Sequence, residues 1–197
     1  MQAQPAPAVA VRDRILDAAE QIVTADGARK LTLDAVAQVA GVSKGGLLYH
    51  FPAKEALLAG MIERHIDELN ARCSAELAHL PAACASSDMK AWILGVLQPH
   101  RVREEAGAAL LAAAANNPAL LDGVRRRYAE HVAQLQSLGD GFARAAVILL
   151  AVDGLMFGEA WRVTPFTAEQ RERIVAELLR LADEVCAPGR ARAEVQS

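Results

Sequence analysis

The chain has 197 residues, of which 53% are apolar and only 4% aromatic, and it carries a formal net charge of −3. So large an apolar share supports a sizeable core, in one large domain or in two smaller ones. The charge excludes a protein held to nucleic acid by bulk electrostatics alone. The first sixty residues are themselves neutral. Arg12, Arg14, Arg29, Lys30, Lys44 and Lys54 are balanced by Asp13, Asp17, Glu20, Asp26, Asp34 and Glu55.

Long stretches of Ala, Leu, Arg and Glu, with no alternating pattern and no internal repeat, predict an all-α chain of nine helices. Residues 1–8 (MQAQPAPA) read as a flexible arm. A first helix is predicted from about Val9 to Ala25, with Val11, Ile15, Ala18, Ala19, Ile22 and Val23 at helical spacing. Asp26-Gly27 ends it, Gly27 being suited to a left-handed cap. Thr32 caps a short helix with Asp34 in its first turn, Gly41 ends that helix, and Ser43 caps the next, which stops at Phe51-Pro52.

A long helix is predicted from about Ala53 to His79, closed by Pro81. After the linker PAACASS, Ser87 or Asp88 caps a helix through Gln98. Further helices are predicted over about Arg101–Ala115 and Ala119–Ser137. Gly139-Asp140-Gly141 is a turn. The helix from Phe142 to Arg162 is apolar nearly all round, which predicts burial on several sides. Thr167 and Gln170 form a capping box for the last helix, Ala168 to Cys186, and residues 187–197 read as a flexible tail. The domains expected are 9–52, and 53–186 for the larger helical part.

No run of about 18 uncharged apolar residues suggests a membrane span, and no signal peptide is visible. Three widely spaced cysteines (Cys73, Cys84, Cys186) form no disulfide framework, so reduced thiols in a cytoplasm are expected. Cys73 and Cys84 leave two readings open, a redox pair or small buried residues.

Function concentrates in LDAVAQVAGVSKGGLLYHFP, residues 33–52. Two short helices joined by a turn must pack steeply. That requires a small residue at the crossing (Ala37), one tolerant of positive φ in the turn (Gly41), inward apolar residues (Val36, Ala40, Val42, Leu47) and a capped second helix (Ser43). The arrangement predicts a DNA-binding helix-turn-helix, in which the start of the second helix enters the major groove. Lys44 can donate to guanine O6/N7 or to phosphate. Gly45 and Gly46 let the backbone approach the bases, and Tyr49, His50 and Lys54 stand where they could hold phosphates.

The pieces RILDAAEQIVTADG, LTLDAVAQVAGVSKGGLLYHF and PAKEALL resemble the DNA-binding domain of the tetracycline-repressor (TetR) family, from Arg12 to Leu58. The resemblance implies a homodimeric repressor that releases its operator when a small molecule binds the C-terminal domain. It implies Thr32 and Ser43 near phosphates, Lys44, Gly45 and Gly46 facing bases, and Tyr49, His50 and Lys54 on the backbone. The chain departs from the pattern at Leu48, where many members have Tyr, and at Gly46, where many have Thr.

The helices 142–162 and 168–186 are the expected dimer surface. Gly154 and Gly158 lie four apart in the first, and Ile174, Val175, Leu178, Leu181 and Val185 form a stripe in the second. An effector site between helices would draw on Met61, His65, Met89, Trp92, Tyr128, Phe157 and Trp161. Few polar groups fall on these stripes, so the effector expected is apolar or amphipathic. No enzymatic activity, cofactor or metal is expected. Gly41 to Gly45 matches the hydrolase pattern G-x-S-x-G, but that motif needs a strand before its serine. Glu76 and His79 supply one E-x-x-H where a di-iron bundle needs two.

Overall fold

Pro7 opens the first helix, two residues before the expected start. Proline suits a first helical turn, where its missing N–H leaves no bond unmade. The computed structural model describes residues 7–27, 30–81, 86–98, 110, 114–115 and 117–186. Among these the regular structure is entirely helical, with eight α-helices rather than nine. They are α1 (Pro7–Asp26), α2 (Leu33–Ala40), α3 (Lys44–His50), α4 (Lys54–His79), α5 (Ser87–Leu97), α6 (Asp122–Gln136), α7 (Phe142–Ala160) and α8 (Ala168–Cys186). Most of the expected helix at Arg101–Ala115 lies outside the described residues, as do Cys84, the tail, and the arm before residue 7.

The chain divides into two compact units, one drawn from Met1–Asp67 and His100–Arg125, the other from Glu68–Pro99 and Arg126–Ser197. In the first, the inner face of α1 (Ile15, Leu16, Ala19, Val23) packs with Val36 of α2, Leu47 of α3, and Leu57, Leu58 and Met61 of α4. Leu110, Ala114 and Leu120 join this core from further along the chain. Arg64 of α4 ties back to α1, donating to Asp17 at 2.6 Å and to Glu20. Gly60 lets Phe51 lie against α4, since a Cβ there would stand 2.7 Å from its Cε1.

In the second unit, α5, α7 and α8 enclose Ile93, Leu97, Ile148, Val152, Leu155, Leu178 and Ala182. A smaller cluster gathers Leu135, Ala145 and Leu149. Gly95 permits a close crossing of α4 and α5, because a Cβ there would stand 2.8 Å from the Cys73 backbone nitrogen. Burial pushes the half-buried Cys73 thiol up from its ordinary pKa. Arg171 of α8 bonds Glu159 at 2.5 Å and the Leu97 carbonyl at 2.6 Å.

Four local expectations change. Neither Ser87 nor Asp88 caps α5. The residue before the helix is Ser86, whose hydroxyl donates to Asp183 of α8 at 2.6 Å, while Ser87 bonds the Pro81 carbonyl. The helix expected from Ala119 starts as a 3₁₀ turn, Pro118–Leu121, and becomes α-helical at Asp122. Helix α7 is not buried on several sides. Within the chain one side meets α5, α6 and α8, and on the other Val147 is 62% exposed and Leu150 64%. By length and apolarity alone this segment would suit a membrane span. Lastly, Gly158 does not open a free face, because a Cβ on it would collide with Thr164 Cγ2 of the same chain, whereas one on Gly154 would meet nothing within 4 Å.

Candidate functional site

The short helices α2 and α3 are set by three local devices. Thr32 Oγ1 accepts from the Ala35 N–H at 3.2 Å. Gly41 takes the left-handed conformation (φ 63°) that a β-carbon disfavours, and its N–H and that of Val42 close the end of α2. Ser43 Oγ accepts from the Gly46 N–H at 3.1 Å, starting α3. Leu47 is the anchor: it is fully buried, and it fixes which face of α3 points outward.

The outward face carries the residues expected to meet DNA. Thr32, Ser43, Lys44, Gly45 and Tyr49 are exposed, while Gly46, His50 and Lys54 are half-buried. Tyr49 is 82% exposed, with its ring edge-on to His50 at 5.1 Å. Lys44 Nζ lies 2.9 Å from Asp34 Oδ1, a pairing across the turn that the sequence reading did not anticipate. A Cβ on Gly45 would meet nothing within 4 Å, so packing does not demand glycine there. Leu48, which replaces the Tyr of many family members, is exposed, as expected of a residue that turns about 100° away from the inward Leu47. Val39 of α2 adds a second exposed apolar group, one that the sequence did not single out. Ser43 follows a helix, not the strand a nucleophile elbow requires.

Candidate effector residues divide between the units. Met61 is a core residue of the first, and His65 is half-buried there. Met89, Trp92, Tyr128, Phe157 and Trp161 belong to the second. The Trp92 ring lies tilted against that of His131, with centroids 4.7 Å apart, and Phe157 lies 5.9 Å from Trp161, which is largely exposed. Two polar residues here escaped the sequence reading. Burial, with Arg127 nearby, lowers the His131 pKa. Tyr128 Oη donates to Asp153 Oδ2 at 2.8 Å. Burial raises the Asp153 pKa and, aided by that bond, pushes Tyr128 up to about 12.

A carboxyl with a raised folded-state pKa binds its proton more tightly in the native protein than in the unfolded chain. Stability therefore falls as pH rises from the ordinary carboxylate range through the raised pKa, and stays lower above it. Asp153→Asn keeps an acceptor for Tyr128 and removes the charge. We expect it to raise the melting temperature at about pH 7, with the gain shrinking as the solution approaches the ordinary Asp pKa of about 3.9. Thermal melts across that range check this; a gain independent of pH would contradict it.

An open groove of about 750 Å³ runs along α8, lined by Phe166, Ile174, Leu178, Glu177 and Arg180 among others. It involves none of the expected effector residues. Val147 and Leu150 of α7, with Trp161, Val163 and Phe166 after it, are the most exposed of the large apolar side chains among the second unit's described residues.

Residues 15–61 match a family model described as bacterial regulatory proteins, tetR family. Residues 87–183 match one described as a tetracyclin repressor-like C-terminal domain. Over 57 residues, 29% of this chain, the sequence is 39% identical to the HTH-type transcriptional regulator TtgW of Pseudomonas putida, and the matched stretch spans 42% of that relative's length. A solved member of the TetR family from Streptomyces coelicolor is similar at 29% identity and a TM-score of 0.66, over 87% of this chain and 97% of that one. The multidrug binding protein EbrR, solved in complex with imidazole, is similar at 26% identity and a TM-score of 0.62, over 86% of this chain and 88% of that one.

Proposed function

This chain belongs to the tetracycline-repressor (TetR) family of transcriptional regulators, and from that premise we propose a cytoplasmic homodimeric repressor that leaves a palindromic operator when a small apolar or amphipathic effector binds. The observation that carries the DNA-binding half is the outward face of α3. It is capped by Ser43, anchored by buried Leu47, and presents Lys44, Gly45 and Tyr49 to solvent. Lys44 donates to guanine O6/N7 or to phosphate, and the glycines let the backbone close on the base edges. Thr32, Ser43, Tyr49, His50 and Lys54 hold the backbone of the duplex. Residues 9–52 are the DNA-binding domain, and 53–186 bind effector and pair with a second copy.

Dimerisation through α7 and the segment after it is supported by the exposed apolar residues Val147, Leu150, Trp161, Val163 and Phe166, whereas the α8 stripe of Ile174, Val175, Leu178, Leu181 and Val185 packs within the chain, so α8 would contribute by its outer face. Gly154, with open space above it, allows close backbone approach. An isologous pair of readers fits half-sites one helical turn, about 34 Å, apart. The effector class rests on the aromatic set Trp92, Tyr128, Phe157 and Trp161. It also draws on the likeness to EbrR, described as a multidrug binding protein. An inverted repeat is expected to shift in a gel at moderate salt where random DNA does not. An effector should both raise the melting temperature and release the repeat. Equal binding to random DNA would overturn the reading.

A further inference from the structure

We propose that the outer face of α8 carries a charge code that admits a second copy of this chain antiparallel and in one register, and so selects the partner in the dimer. The inference rests on the reading of α7 and α8 as the dimer surface and deepens it.

Four charged side chains follow one another along that face: Arg173, Glu177, Arg180 and Glu184, all exposed. Steps of four, three and four residues keep them on one stripe, because each such step returns to nearly the same side of a helix. The stripe is separate from the buried side of α8, where Leu178 and Ala182 meet α5 and α7. The open groove along α8 lies beside it, lined by Ile174, Leu178 and Phe166 together with Arg173, Glu177 and Arg180. Phe166 also belongs to the exposed apolar set that follows α7, so the groove and that set are continuous. An apolar seam edged by charges is the arrangement by which paired helices choose partner and orientation. Arg180 is held by its own neighbours, donating to Glu177 at 2.6 and 2.8 Å and to Glu184. Arg173 has no polar partner among the described residues, so an unmatched charge stands on the rim of the groove.

The signs along the stripe run plus, minus, plus, minus. Laid parallel on a second copy, each residue faces its own image and every contact joins like charges. Laid antiparallel, the second stripe reads minus, plus, minus, plus. Arg173 then meets Glu184 of the second copy and Glu177 meets Arg180, each twice by symmetry, with the two-fold axis level with the Leu178–Leu179 peptide bond. A slip of four residues sets Arg173 on Arg180 in one direction and Glu177 on Glu184 in the other. A slip of seven keeps half of the opposed pairs. Each exposed ion pair is worth little by itself. Discrimination comes from the difference, because the wrong arrangements put like charges together at the edge of an apolar contact.

The test uses the full chain carrying tags of different mass, with dimer populations read by native mass spectrometry. One variant reverses the whole stripe: Arg173→Glu, Glu177→Arg, Arg180→Glu and Glu184→Arg. It keeps opposite charges at the spacings that pair within α8 and is again complementary to itself, so it should dimerise within about threefold of wild type. Against wild type, each of its antiparallel contacts is like-charged. Equal amounts left to exchange at low salt should give under about a tenth heterodimer, where chance gives about half. Salt at about 1 M, with a screening length of about 3 Å, should restore chance mixing. A second pair of variants splits the code. Arg173→Glu with Arg180→Glu makes the stripe acidic throughout, and Glu177→Arg with Glu184→Arg makes it basic throughout. Each alone should lose at least about tenfold in dimer affinity, and the two together should form the heterodimer. Free mixing of wild type with the reversed stripe at low salt overturns the proposal and leaves the dimer reading standing. A preference for that mixed pair also overturns it, because parallel pairing is the arrangement that favours it. A wild type that stays monomeric at micromolar concentration overturns the dimer reading, and the proposal with it.

Discussion

Replacing Leu150 with Glu is expected to leave each chain folded and to weaken binding to an inverted repeat by at least about a hundredfold. The side chain is 64% exposed on α7, so the substitution removes little packing within the chain, and surface changes of this kind usually shift stability by less than about 0.5 kcal/mol. In an isologous interface every substitution occurs twice, so two carboxylates enter one apolar contact. A charge buried there without a partner is far more costly than the packing it replaces. Binding to one half-site should stay near wild type, because α2 and α3 are untouched. Two linked readers gain about a hundredfold or more over one through effective concentration, and that gain is what disappears. Sedimentation should find the wild type dimeric and the variant monomeric. A dimeric variant with full operator affinity would place the interface elsewhere.

The features legible in sequence were those governed by neighbours a few residues away. Thr32, Gly41 and Ser43 each answer a demand of the backbone within four positions, and each sits as local rules require. The Thr167–Gln170 box is of the same kind, with the Thr167 N–H donating to Gln170 Oε1 at 2.9 Å and the Gln170 N–H to Thr167 Oγ1 at 3.2 Å. What escaped was set by distant partners. Ser86 turns from its own helix start because Asp183, 97 residues on, accepts its hydrogen bond. Tyr128 and Asp153 meet across 25 residues. The apolar circumference of α7 was visible, but composition does not say which apolar face another element covers. Here α5, α6 and α8 cover one and leave Val147 and Leu150 bare. Periodicity likewise put Met61 on a stripe without saying that the stripe lies in the core of the first unit.

Three neighbouring substitutions in and before α3 should separate framing from contact. Leu47→Ala removes a fully buried side chain from the core shared by α1, α2 and α4, and large-to-small changes of this kind cost about 2–5 kcal/mol. Small domains hold only about 5–15 kcal/mol in all, so much of the stability goes, and operator binding should vanish as temperature rises well before the wild type loses it. Ser43→Ala removes the acceptor of the Gly46 N–H, a cap whose loss costs about 1 kcal/mol. It should lower the melting temperature slightly and, if the same hydroxyl meets the duplex as proposed, weaken binding at every temperature. Leu48→Ala changes a side chain that is largely outside the core and should barely move the melting temperature. Melting curves and operator affinities for the three, taken at several temperatures, test the division. If α3 is only a packing element, binding will track stability through the whole series. If it reads DNA, Ser43→Ala will fall below the line that Leu47→Ala and wild type define.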